Sequence, residues 1–64
     1  MILPGHFIKA RFWPGEMAWA RVERVEDGIV HAVIESKPVN PSHFAGEGVI
    51  CPVGDIIEIL ERAK

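Results

Sequence analysis

EMAWARVERVEDGIVHAVIE, residues 16–35, alternates between side chains that want water and side chains that avoid it, and a turn signal interrupts it at Asp27-Gly28. Alternation on both sides of such a signal is the pattern of a β-hairpin. If Glu26, Asp27 and Gly28 form a three-residue loop, with Gly28 in the left-handed region that a bulge-closed turn needs, Val25 faces Ile29 and the pairs run outward from there. Val22 then lies opposite Ala32, Ala20 opposite Ile34 and Arg24 opposite Val30, and one face carries Ala18, Ala20, Val22, Val30, Ala32 and Ile34. That face can be buried. The other holds Trp19, Arg21, Glu23, Val25, Ile29, His31, Val33 and Glu35, with Glu23 across from His31, and is mixed as a half-solvated antiparallel sheet should be. A two-residue Asp27-Gly28 loop is the rival, but it would scatter Arg21 and Glu23 among Val25, Val30, Ala32 and Ile34 on one face, so the patterning favours the longer loop.

The totals fit one small domain. A chain of 64 residues buries only roughly 60% of the surface that its unfolded form exposes, so its stability margin is small. Hydrophobic residues make up 48% of it, enough for a core and enough to leave an apolar surface for a protein partner or a second copy, which makes a homodimer an expectation to test. Seven basic against nine acidic side chains give a formal charge of −2, so the long-range field does not draw in polyanions. Nucleic acid is accordingly a less favoured partner than protein. One cysteine excludes an internal disulfide, no signal-peptide pattern opens the sequence, and no apolar run approaches the roughly 18 residues of a membrane span. A cytoplasmic protein with no membrane partner is expected.

Upstream of the hairpin, His6 to Phe12 alternates again, with His6, Ile8, Ala10 and Phe12 on one face and Phe7, Lys9 and Arg11 on the other. Trp13-Pro14-Gly15 breaks this strand and should turn it into an antiparallel neighbour of the hairpin. Downstream, Ser36 to Gly48 holds too many breakers for regular structure, and Phe44 and Val39 are its only sizeable apolar residues. Phe44 is expected to fold back as a lid on the core. Gly48 to Pro52 reads as an edge strand. Asp55 three positions before Glu58 has capping-box spacing, and Ile56, Ile59, Leu60 and Ala63 recur on one helical face, so a short C-terminal helix is the favoured reading of residues 56–62. The rival is a helical turn followed by a last strand over residues 58–62. The fold class is therefore mainly β: a small antiparallel sheet of about four strands with that helix, or an SH3-like barrel if the last segment is extended.

Catalytic and metal chemistry finds little support. His6, His31, His43 and Cys51 lack the close spacing of recurring zinc motifs, and no phosphate loop, nucleophile elbow or HExxH is present. Cys51 should behave as a small hydrophobe with a raised pKa. No cofactor and no enzymatic activity are expected. The residues that stand out are Lys9, Arg11, Trp13, Trp19 and Arg21, where rings beside cations suit stacking on bases or holding an acidic peptide. The competing reading makes Trp19 a second core, covered by a partner or by the C-terminal helix.

The order FIKARF, a turn, EMAWARV, DGIVHAVIESKP and FAGEGVICPVGDIIEI resembles the YegJ-like family of small bacterial domains of unknown function. Lys9, Glu16, Trp19, Gly28, Pro38, Gly46 and Ile56 are the matching positions, while Met17-Ala18-Trp19, Ser36-Lys37 and Glu58-Ile59 depart from the family pattern. The resemblance implies no settled activity, since fold alone does not fix function. Three functions follow as expectations: binding of a protein partner or self-association through the outer sheet face, a phage- or plasmid-borne inhibitor of a host enzyme, and a small nucleic-acid-binding barrel.

Overall fold

The computed structural model describes residues 2–37 and 42–61. Five antiparallel strands form one open sheet: β1 (Phe7–Trp13), β2 (Glu16–Glu26), β3 (Ile29–Ile34), β4 (Gly48–Pro52) and β5 (Ile56–Leu60). Their order across the sheet is β4-β3-β2-β1-β5. The fold is mainly β, as the alternation predicts, with five strands where about four were expected.

β2 organises the sheet because it is long enough to serve two partners. Its first half pairs with β1, from Trp13 opposite Glu16 to Phe7 opposite Arg21. Its second half pairs with β3, from Ala20 opposite Ile34 to Glu26 opposite Ile29. The two ladders overlap near Ala20, and the sheet curls there until β1 also packs against β4 across the core. Pro14 and Gly15 close the first hairpin, with Gly15 at φ 78 in the region that the third position of a proline-led type II turn requires.

The second hairpin corrects the expected turn. Glu26 pairs directly with Ile29, so the loop is the two-residue Asp27-Gly28, with φ of 51 and 75. Two successive positive φ angles are the hallmark of a type I′ turn, whose twist matches that of the strands. The extra residue demanded by the pattern sits instead in a register shift between Val22 and Arg24. A bulge there lets Ala20 and Val22 keep the pairing read from the sequence while Arg24, not Glu23, faces His31. Val25 pairs with Val30 and so moves to the inner side, at the hairpin tip.

The core lies under this inner face. Ile8, Ala10, Ala18, Ala20, Val22, Val30, Ala32, Ile34 and Cys51 are buried together, and Ile2, Phe12, Trp13, Val49 and Ile56 pack on them. Burial raises the Cys51 thiol above its ordinary pKa, and the nearby Asp55 charge adds to that.

The C-terminal helix is overturned. Val53–Asp55 makes a single 3₁₀ turn, its Val53 amide bonded to the Gly28 carbonyl at 2.9 Å, and the chain then runs extended as β5 against β1. Three of the five β5 residues are β-branched isoleucines, which resist helix and suit a strand. About two turns of helix could not persist unaided, whereas the open edge of β1 offers a ladder of pairings. A helical turn followed by a last strand is the rival reading, although the strand begins at Ile56 instead of residue 58, and β4 and β5 remain the two ends of an open sheet. Phe44 does not cap the core; it is 63% exposed. Val39 falls outside the described residues.

Candidate functional site: the outer sheet face

Register alone decides which residues share the outer face. Lys9 is the cross-strand partner of Trp19, and Phe7 is the partner of both Arg21 and Leu60. Adjacent Ile8, Ala10, Ala18 and Ala20 point into the core, so Phe7, Lys9, Trp19 and Arg21 point the other way. The Lys9 ammonium lies over the Trp19 ring, 5.9 Å from its centroid, within range of a cation–π attraction.

Trp19 is fixed by its backbone. Its amide donates to the Ser36 hydroxyl at 3.1 Å, and its carbonyl accepts from Glu35 at 2.9 Å and from Ser36 at 3.3 Å. The chain leaving β3 therefore brackets the backbone of Trp19 on both sides of its Cα. No helix covers it, which removes the helix-covered reading of this ring. The side chain is half-buried among its sheet neighbours, and Phe7 beside it is only 9% exposed.

The cations divide into two groups. Arg21 is tied to Glu35 (Nε–Oε2 3.2 Å), and Arg24 to Glu26 (Nε–Oε1 3.0 Å), the same carboxylate that lies 3.8 Å from His31 Nε2. His31 thus finds Glu26, not the expected Glu23, because the bulge moves Glu23 out of register. Lys9 and Arg11 make no ion pair among the described residues; Lys9 lies between Trp19, over which its ammonium rests, and Glu58 of β5, its other cross-strand partner. Arg11 is exposed, as is Met17 on β2.

Trp13 does not join this group. It packs on the core side and stacks on His43, with centroids 3.9 Å apart and planes inclined by 16°. His43 Nδ1 lies 3.1 Å from both carboxylate oxygens of Glu47, one of which also accepts from the Phe44 amide at 3.2 Å. Glu47 and Gly46 exchange backbone bonds of 2.9 and 2.8 Å with Ile34, so the loop before β4 is anchored on β3 and stapled to the first hairpin by two rings. Sequence reading missed this stack, since Trp13 and His43 are 30 positions apart and no local pattern links them.

Among the described residues no group of three or more His, Cys, Asp or Glu side chains could hold a metal ion, and no helix is long and apolar enough to cross a membrane. No family model, curated protein or solved structure matches the chain. Of the positions carrying the YegJ-like resemblance, Gly28 and Gly46 both adopt positive φ and Trp19 lies on the outer face, while Pro38 is outside the described residues.

Proposed function

We propose that this chain is a non-enzymatic binding module that holds a protein partner through the outer face around Trp19. The supporting observation is the Trp19–Lys9 pair. The backbone of Trp19 is fixed by hydrogen bonds, its ring is only half-buried among the described residues, the Lys9 ammonium lies over it, and Arg11 is exposed further along β1. Fixed aromatic rings give much contact area at little entropic cost, and they dominate the energetics of protein interfaces. The Lys9 ammonium over the ring and the exposed Arg11 on the same strand favour a partner segment that carries carboxylates next to an apolar side chain.

The test is a pull-down with the intact chain and with Trp19→Ala and Arg11→Ala variants, alongside circular dichroism. Loss of partners with an unchanged spectrum supports the reading; loss of the β spectrum would make these residues structural and sink it. The nucleic-acid reading is weaker, because Arg21 already satisfies Glu35. Binding to an oligonucleotide that falls steeply as salt is raised would favour it over a protein partner.

A further inference from the structure

The two ends of the sheet are finished differently. β4 closes on Pro52, and the turn that follows is stitched to the hairpin tip through Val53 and Gly28. Among the described residues β5 is hydrogen-bonded to β1 alone, and no described strand pairs with its other edge. Along it Ile57, Ile59 and Leu60 are 57%, 38% and 42% exposed, interrupted only by Glu58. Proteins usually guard such an edge with lysine, proline or a bulge. β5 has one of these guards, a bulge that leaves Ile57 unpaired with β1, but Glu58 to Leu60 carry neither lysine nor proline.

We propose that β5 is the seam on which a second copy of this chain adds, antiparallel about a two-fold axis through Ile59, so that two sheets become one of ten strands. The strand's own sequence argues for a second copy as the occupant. A two-fold axis perpendicular to the sheet requires a residue to face itself, and few centres are available. Centring on Glu58 sets carboxylate against carboxylate. Centring on Ile57 sets Asp55 against Ile59. Centring on Ile59 sets Glu58 beside the mate's Leu60, puts Ile57 beside the mate's Glu61 at the rim, and closes Ile59 on Ile59. That register separates the like charges. It also explains the exposure of Ile59, whose β1 partner Ile8 is fully buried on the same inner side while Ile59 itself lacks a neighbour.

Such an interface is isologous, with the same strand contributed by each copy. Its axis leaves both Trp19 faces on one side of the joined sheet, which doubles the proposed binding surface without using it. A seam of one short strand is at the small end of interface sizes, so the dimer forms in the micromolar range or weaker.

Sedimentation equilibrium of the full chain, from micromolar to millimolar, tests this. The expected mass rises from 7.1 kDa toward twice that value. Leu60→Glu sets acid against Glu58 twice across the axis and weakens association about tenfold. Leu60→Lys instead sets an ammonium against the mate's Glu58 twice and tightens association, a reversal of sign that no other two-fold register predicts. Leu60 is exposed, and circular dichroism of the dilute variants confirms folding. Should Leu60→Glu alone fail to fold, slowed hydrogen exchange of β5 amides in the concentrated wild-type chain reads the same seam. A chain that stays monomeric at millimolar concentration overturns the proposal. So does a dimer that ignores the β5 substitutions and is abolished by Trp19→Ala, which would assign self-association to the outer face instead.

Discussion

The two faces of β2 carry opposite kinds of residue. Inward it shows Ala18, Ala20 and Val22, all at most 4% exposed; outward it shows Met17, Trp19 and Arg21, all far larger. A core lined with alanine brings the curled sheet close to itself and leaves no room for a bulky group. The large rings must then go outside or to the hairpin ends, where Trp19 and Trp13 are found. The contrast teaches that an indole on the outer face is not a misplaced core residue: the inner layer is already filled by small ones.

The comparison breaks most severely at the inner layer. Ile8→Ala removes the side chain of a fully buried residue and should cost about 2–5 kcal/mol. That is a large share of the stability a domain of this size has, so urea unfolding followed by tryptophan fluorescence should show the midpoint collapsing toward zero. A shift no larger than that of a surface substitution would mean that the inner face is not the core. Ala20→Leu probes the same layer from the other direction. Extra volume against Ile34 and Ile8 should destabilise by about 1–3 kcal/mol, whereas Trp19, one position away, should tolerate exchange for another large residue.

Gly28→Ala is next in size, at about 1–2 kcal/mol. A Cβ at Gly28 would meet no atom within 4 Å, so the cost is purely that of φ +75 in a residue other than glycine. A neutral result would argue against the two-residue turn. That turn also shows how far the sequence could be read. Alternation identified the buried face, and it did so correctly for Ala18, Ala20, Val22, Val30, Ala32 and Ile34, because burial acts on every second residue whatever closes the loop. Where the extra residue lay was not legible: a three-residue loop and a bulge at Glu23–Arg24 satisfy the same pattern of faces, and only pairing distinguishes them. The last segment was ambiguous for another reason. Asp55 and Glu58 have the spacing of a capping box, and the preference of Ile56, Ile57 and Ile59 for extended backbone is decided only when β1 offers an edge, which is a tertiary event. At the candidate site, Lys9, Arg11, Trp19 and Arg21 were singled out from alternation, and register brings Lys9, Trp19 and Arg21 onto one face. Trp13 was grouped with them by proximity in sequence, but the bulge before the first turn directs it to the core side and to His43.

Trp19→Ala should separate binding from folding. The ring is half-buried and contacts Lys9, so thermal unfolding should register a loss of about 1 kcal/mol, well below that of Ile8→Ala, while partner capture disappears. Equal losses for the two variants would erase the distinction between the faces.

The smallest expected effect comes from the inner layer again, through Cys51. Burial, with a further contribution from Asp55, raises its thiol pKa above the ordinary value of 9.0. The folded chain therefore binds the proton more tightly than the unfolded chain does. The sign follows: the stability associated with the neutral thiol is fully present below pH 9.0 and is lost as pH rises from there through the raised, folded value. Replacing the thiol by a group that does not ionise, as in Cys51→Ala, should lower stability at neutral pH and flatten its decline above pH 9.0. The difference between the stability curves of the two chains is the quantity to measure. If the curves run parallel from neutral pH into the alkaline range, the thiol ionises as readily in the folded chain as in the unfolded one, and β4 leaves the inner layer open to water at that point.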